Sequence, residues 1–159
     1  MSNEETNKII VRLWFTQFWG KNGDLKVVDE LAGPNMLLEY SLHAPYRGHQ
    51  DIKAFMTRLR AAFPDFNVQL TADLIAEGDL VVVRWEADGT HTGPDYYDFR
   101  IGLLPAATGR KMHFIGRTVL RIEDGKIAEE NGLADGVTAL RQLSLIHLVW
   151  STGHAILAG

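Results

Sequence analysis

The chain contains no cysteine. Disulfides, thiol nucleophiles, thiolate metal sites and iron–sulfur clusters are thereby excluded. It has no block of basic residues, and its net charge is −4. Neither a nucleic-acid partner nor an anionic membrane surface is expected of such a chain. None of the six histidines stands in HxxxH or HExxH spacing, and no acidic calcium-loop pattern occurs, so no metal site is expected. No glycine-rich phosphate loop leads into a helix, which gives no support to a nucleotide cofactor. A GxSxG elbow is missing too, and with it the basis for a serine hydrolase. No repeat, low-complexity stretch or Pro/Gly/Ser-rich linker divides the chain. The opening MSNEETNKII has neither the basic nor the apolar region of a signal peptide, so a cytoplasmic protein is expected.

What is present describes one globular domain. The chain has 159 residues, 46% apolar and 23% charged. That is enough to bury a core and to enclose a pocket. After Arg141 no residue is charged, through the eighteen residues QLSLIHLVWSTGHAILAG. The stretch is at the lower limit for a membrane span, but it holds His147, Ser151, Thr152, Gly153 and His154 and has no flanking basic cluster. It reads as a helix end followed by an apolar tail, residues 143–159, docked on the body or on a second subunit.

The hydrophobic pattern is helical at first and strand-like after Pro64. A first helix opens on a capping box, Ser2 with Glu5, and carries Ile10, Val11, Trp14, Phe15 and Phe18 along one side. A short second helix begins at Asp24 as N-cap, turns Leu25, Val28 and Leu31 inward, and stops at Gly33-Pro34. Met36 to Ser41 reads as a strand. A third helix follows Gly48, with Ile52, Phe55, Met56, Leu59 and Phe63 on one stripe, and ends at Pro64-Asp65. Strands are then expected from Phe66, over Leu80 to Ala87, at about Tyr97 to Leu103, over Lys111 to Ile122, and from Ile127. Asp124-Gly125 marks a tight hairpin. A closing helix starts near Gly136, with Val137, Leu140 and Leu143 inward. The expected fold is α+β and cone-shaped: three N-terminal helices packed on a curved, mostly antiparallel sheet of about six strands, with a C-terminal helix. A sheet wrapped around helices leaves a cavity suited to one small apolar ligand.

Four segments in series resemble the SnoaL-like polyketide cyclases. They are YRGHQDIKAFMTRLRAAFPDF (Tyr46 to Phe66), AEGDLVVVRWEADGTHTG (Ala76 to Gly93), ATGRKMHFIGRTVLRIEDGKIAEE (Ala107 to Glu130) and ADGVTALRQL (Ala134 to Leu143). The resemblance spans nearly the whole chain and implies the nuclear-transport-factor-2-like cone fold. It implies a cofactor-free enzyme that closes a ring by intramolecular aldol condensation of a polyketide ester. One aspartate serves as acid and base, and it falls on Asp135. Two features depart from the family pattern. Asn131 stands where the family often has tryptophan, and the loop between Gly93 and Gly109 is several residues longer than the family norm.

The residues themselves allow more than one reading. A carboxylate raised in pKa by burial can remove a proton from an activated carbon and return it to the alkoxide. Asp135 also stands where the N-cap of the last helix would be, and an N-terminal dipole lowers a carboxylate's pKa. His91, in GTHTG, is expected to assist Asp135 from a strand end. Simple alternation places His113 outside with Lys111, Arg117 and Arg121, and a bulge at Gly116 would reverse it. Glu39 is a further candidate. An ungapped count back from Gly48 sets it where the distantly related ketosteroid isomerases carry their aspartate base. Their second acid would fall near Thr118, which cannot supply a carboxylic proton. Trp14, Phe18, Tyr40, Phe55, Phe63, Trp85 and Phe114 are expected around an apolar or aromatic substrate. Asp95, Tyr96, Tyr97 and Asp98 form an acidic-aromatic cluster on the long loop, which reads either as a solvated loop or as a lid. A homodimer through the outer sheet face, where Val82, Ile115 and Val119 lie, is expected on apolar exposure. The competing reading is a non-catalytic module whose cone only binds a small ligand or mediates dimerisation.

Overall fold

The computed structural model describes residues 1–151 and 154–158, with side chains described as far as His147. Helix α1 (Asn3–Gln17) begins on the expected capping box: Glu5 N donates to Ser2 Oγ at 3.2 Å, and Ser2 N donates to Glu5 Oε2. Its stripe of Val11, Trp14 and Phe15 is buried. Helix α2 (Lys26–Leu31) is short, and Asp24 accepts from Lys26 N at 2.9 Å at its entry. Strand β1 (Ala32–Tyr40) and the two-residue β2 (Tyr46–Arg47) lead into α3 (Gly48–Ala62), which buries Ile52, Phe55, Met56 and Leu59. The rest is mainly strand: β3 (Asn67–Leu70), β4 (Ile75–Glu77), β5 (Leu80–Thr90), β6 (Lys111–Glu123) and β7 (Lys126–Ala134). Helix α4 (Gly136–Gln142) follows, then a separate hairpin of β8 (His147–Ser151) and β9 (His154–Ala158).

Seven strands form one sheet in the order β2-β1-β7-β6-β5-β3, with β4 also paired to β5. All pairings are antiparallel except β1 with β7. Strands β5 and β6 match without interruption from Leu80↔Arg121 to Thr90↔Lys111. Met112, Phe114, Thr118, Leu120 and Ile122 therefore point inward and His113 outward, with no bulge at Gly116. The β6–β7 turn places Asp124 and Gly125 at φ 53° and 73°, the pair of positive angles that a tight hairpin needs. Helices α1 to α3 pack their apolar stripes on the inner face, and these residues join the strands' inner side chains in one core. Burying each large apolar side chain there contributes about 1.5–3 kcal/mol.

Several expectations change, among them Val137, expected to turn inward from the closing helix but exposed. The segment about Tyr97 to Leu103 is not a strand; residues 91–110 form a folded loop held by isolated pairings. Pro94 and Pro105 lack ladder donors, and Gly102 turns the chain at φ 86°, so a regular strand cannot run through. The expected apolar tail forms the β8–β9 hairpin, whose side chains lie outside the described residues. Strand β7 carries a bulge: Arg121 and Ile122 oppose Glu129 and Ile127, leaving Ala128 extra. Ile127 faces the core before the bulge, and Glu130, Gly132 and Ala134 face it afterwards. Among the described residues no helix is long and apolar enough to cross a membrane.

Two glycines on the inner face carry rings from the neighbouring strands. Gly132 is the register partner of Tyr40, and Gly116 that of Trp85. A Cβ on Gly132 would lie 1.9 Å from Tyr40 Cε1, and one on Gly116 would lie 2.1 Å from Trp85 Cζ2. The sheet needs glycine there because the ring occupies the side-chain space. Gly132→Ala is therefore expected to displace the Tyr40 ring and to destabilise the fold by about 1–3 kcal/mol. A lowered urea midpoint with unchanged m-value is the check; an unchanged midpoint would contradict the packing.

Candidate functional site

The cone encloses an apolar cavity. Phe15 and Trp19 line it from the α1 region, Tyr40, Trp85, Phe114 and Ala134 from the sheet, and Phe99 from the long loop. The expected aromatic residues divide between two layers. Tyr40, Trp85 and Phe114 reach the cavity. Trp14, Phe18, Phe55 and Phe63 are fully buried behind it. Trp14 stacks on Phe18 at 4.2 Å, while Phe55 supports Trp19 and the ring of His43.

One carboxyl group lies inside the fold at the cavity's inner end. Glu130 is fully buried, brought inward by the β7 bulge. Trp14 Nε1 donates to its Oε1 at 2.7 Å, and Trp19 Nε1 donates to its Oε2 at 2.8 Å. The Tyr40 hydroxyl donates to the same Oε2 in a short hydrogen bond. Behind Tyr40, Trp85 Nε1 donates to Thr118 Oγ1 at 2.8 Å, and Thr118 Oγ1 lies 2.9 Å from Tyr40 Oη. Because Trp85 uses the threonine as acceptor and Tyr40 gives its proton to Glu130, the Thr118 hydroxyl donates to Tyr40 Oη. The network runs from Trp85 through Thr118 and Tyr40 to Glu130, and the rings of Trp19, Tyr40 and Trp85 belong to both network and cavity wall.

Electrostatics set the carboxyl near its midpoint. Burial pushes Glu130 from 4.5 up to about 7, against the three donors, which favour the ionised form. Burial also raises the Tyr40 phenol well above its ordinary value, as does the adjacent Glu130 charge. At neutral pH the phenol keeps its proton, and the carboxyl is divided between its neutral and ionised forms.

The carboxylates singled out in the sequence lie elsewhere. Asp135 is exposed at the start of α4, where its Oδ1 accepts from Thr138 N at 3.2 Å and its Oδ2 from Thr138 Oγ1 at 2.6 Å. Those bonds hold its carboxyl below the usual range. It is an N-cap one residue beyond Ala134, which does line the cavity. Glu39 is half-buried and faces away from the cone, because its neighbours Leu38 and Tyr40 take the inner positions. His91 is fully buried, but both ring nitrogens are occupied: Nδ1 pairs with Thr108 Oγ1 at 2.8 Å and Nε2 donates to Pro94 O at 2.7 Å. It clasps the long loop and does not line the cavity. His113 is exposed beside Asp88, 2.5 Å away, and that hydrogen bond raises its pKa. The structure thus brings none of Asp135, Glu39 and His91 together.

The long loop closes the other end. Phe99 is inserted against the cavity and Tyr96 is buried. Asp98 is paired with Arg58 of α3 at 2.5 Å. His43, from the β1–β2 connection, lines the cavity and meets Tyr96. Burial lowers His43 from 6.5 to about 4, so it is neutral at physiological pH. Sequence reasoning passed over both Glu130 and His43. Counting inward positions back from Ala134 would have found Glu130; alternation from Ile127 hides it, because the bulge intervenes.

Glu130 and His43 act on stability with opposite sign. Glu130 binds its proton more tightly in the folded state, so raising the pH from 4.5 to about 7 withdraws stability. His43 binds its proton less tightly when folded, so raising the pH from about 4 to 6.5 adds stability. Each contribution is on the order of 3 kcal/mol, and the two nearly cancel in the native chain. Across this window the melting temperature of Glu130→Gln is expected to rise with pH relative to the native protein. That of His43→Phe is expected to fall. Parallel profiles for all three proteins would contradict both assignments.

Comparison with known proteins accords with this architecture. The SnoaL-like polyketide cyclase family matches residues 9–143. The chain belongs to that family. A search of curated proteins by sequence gave no match. A solved structure from Jannaschia sp. CCS1, named for SnoaL-like polyketide cyclases, superposes with a TM-score of 0.76 at 24% identity, covering 91% of this chain and 96% of that one. IdmH from Streptomyces antibioticus, named for polyketide cyclases, gives a TM-score of 0.68 at 26% identity, covering 87% and 98%. An LEH-like epoxide hydrolase from M. tuberculosis gives 0.67 at 16% identity, covering 90% and 92%. The first and third likenesses speak for the fold alone, and the third for a fold that hosts more than one chemistry.

Proposed function

We propose that this member of the SnoaL-like polyketide cyclase family is a cytoplasmic, cofactor-free enzyme that moves a proton on a small apolar carbonyl compound, in a ring closure of the intramolecular aldol type. The observation that carries the reading is a buried carboxyl with a pKa near 7, linked through one phenol to an apolar cavity. We assign the acid–base role to Glu130 acting through Tyr40, rather than to Asp135 with His91, or to Glu39. Tyr40 Oη takes a proton from the activated carbon while its own proton passes to Glu130 Oε2. The carbanion attacks the second carbonyl of the same molecule, forming the ring bond and an alkoxide. Reversal of the relay protonates the alkoxide and restores both residues. Thr118, fixed by Trp85, donates to Tyr40 Oη throughout and limits the charge that builds there. Burial brings the carboxyl's pKa toward the working pH, where an acid–base group is most effective.

The test uses an aromatic β-keto ester bearing a second ketone, with deuterium incorporation at its activated methylene and ring closure both followed by mass spectrometry. Tyr40→Phe, which keeps the ring, is expected to lower the rate about 10²–10⁴-fold. Glu130→Gln should do the same, with some loss of stability because an amide nitrogen must face a tryptophan donor. Asp135→Asn should retain both rate and melting temperature, since asparagine caps a helix as well as aspartate does. Loss of activity in Asp135→Asn with retention in Tyr40→Phe would return the acid–base role to Asp135. Deuterium incorporation no faster than in buffer for the native protein would favour the binding-module reading.

The same proposal includes a homodimer through the outer sheet face. Ile115, Val119 and Leu133 are exposed there, with Val137 of α4 beside them. Light scattering should give twice 17.8 kDa at micromolar concentration, and Val119→Lys should return it to one chain. A native mass of 17.8 kDa would remove the dimer from the proposal.

A further inference from the structure

Helix α1 ends without a basic residue of its own in the last turn. The last carbonyls of a helix lack internal partners and carry partial negative charge, so they favour a cation. Arg60 of α3 supplies one from across the interior. Its Nη2 donates to Phe18 O at 3.1 Å, to Trp19 O at 3.2 Å and to Gly20 O at 2.5 Å. Its Nη1 donates to Phe66 O at 2.7 Å and to Lys21 O at 3.3 Å, and Nε donates to Met56 Sδ at 3.2 Å. The guanidinium is half-buried, and no carboxylate among the described residues pairs with it. A fork used wholly on backbone carbonyls fixes the path of the chain rather than a charge. The turn that follows is shaped around it. Gly23 has φ 56°, and a Cβ there would lie 2.2 Å from Arg60 Nε.

The chain held in this way carries the site. Trp19 follows the C-cap Phe18, where α1 no longer supplies a regular ladder. Its carbonyl is fixed by Arg60 and by Val68 N at 3.1 Å. Its indole Nε1 donates to Glu130 Oε2 at 2.8 Å. Trp19, Phe66 and Val68 all line the cavity. Trp14, the other indole donor, needs no such support. It lies inside the helix, and its carbonyl accepts from Phe18 N at 2.9 Å. Glu130 has no charged side chain paired with it among the described residues, and Tyr40 is the titratable group in contact. Arg60 therefore meets Glu130 through Trp19.

We infer that Arg60 is a positioning residue of the Glu130 site: by fixing the turn after α1, it holds the Trp19 indole N–H on Glu130 Oε2. The inference rests on the reading of Glu130 as the acid–base group and adds what sets its donor in place. A donor held on the carboxyl favours the ionised form, which is the form that takes the Tyr40 proton. Loosening Trp19 therefore moves the midpoint of Glu130 upward.

Glu130 is titrated directly, through its side-chain carboxyl ¹³C resonance, assigned with Glu130→Gln. Arg60→Lys keeps the charge and loses the fork. It is expected to raise the midpoint by about one pH unit. The Trp19 indole N–H resonance should move and that of Trp14 should stay. The pH profile of kcat/KM for the keto ester should shift upward by the same amount. Added to Trp19→Phe, Arg60→Lys should move the midpoint no further than Trp19→Phe alone, because the donor that Arg60 holds is gone. Gly23→Ala, which presses a methyl on the guanidinium, should act in the same direction and takes the place of Arg60→Lys if that variant does not fold. Leu140→Ala, a core loss at α4, should lower stability and leave the midpoint where it is. An unchanged midpoint in the folded Arg60 or Gly23 variant, a full shift that persists in Trp19→Phe, or an equal shift in Leu140→Ala would overturn the inference. Failure of the acid–base reading is separate: the carboxyl midpoint would still move, while the rates of Glu130→Gln and Tyr40→Phe would stay native.

Discussion

The buried Glu130 carboxyl is the constraint around which the interior is arranged. A carboxylate taken out of water costs several kcal/mol unless donors surround it. Here two tryptophans of the α1 region and a tyrosine of β1 meet it, one at Oε1 and two at Oε2. Each donor is an aromatic residue, so the groups that satisfy the charge also supply core volume. The first helix, the first strand and the seventh are thereby tied through one side chain. A hydrophobic residue at this position would leave three donors unpaired, which is why the site behaves as a unit.

That arrangement also explains how polar chemistry coexists with an apolar cavity. Of the donors that hold Glu130, Trp14 lies behind the wall, while Trp19 and Tyr40 line it and turn their polar atoms away toward the carboxyl. Desolvation draws the carboxyl upward while the donors draw it down, and the balance falls near neutrality. The opposite end follows a related rule with another outcome. His43 is desolvated without a carboxylate in contact, so it stays neutral and offers a fixed hydrogen-bond pattern rather than a charge.

Backbone detail makes both ends possible. Gly116 and Gly132 clear the inner face of the sheet where the Trp85 and Tyr40 rings must lie. The bulge at Ala128 lets both Ile127 and Glu130 face inward, whereas unbroken alternation from Ile127 would put Glu129 and Asn131 in the inner positions. Pro94, Gly102 and Pro105 keep the long loop from joining the sheet, so it folds over the cavity instead, with Tyr96 and Phe99 pointing in.

Most of the fold was legible in the sequence by itself, because its signals are local. The Ser2 capping box, the apolar stripes of the first and third helices, the alternation of Lys111 to Ile122 and the Asp124-Gly125 turn each depend on near neighbours. The resemblance in four segments named the family, and the match over residues 9–143 agrees. The aromatic lining was legible in part: Tyr40, Trp85 and Phe114 reach the cavity, whereas Trp14, Phe18, Phe55 and Phe63 stand one layer behind. Periodicity reports which face a residue takes but not its depth. The polar site was decided by tertiary structure. Asp135 could be read as cap or as catalyst in one dimension, and its bonds to Thr138, which show the cap, appear only in the folded chain. Glu130 lies between Glu129 and Asn131 in a polar run that reads as solvent-exposed, and a single bulge reverses its face. Its partners stand 90 to 116 residues away, so no local pattern could show that they would surround it.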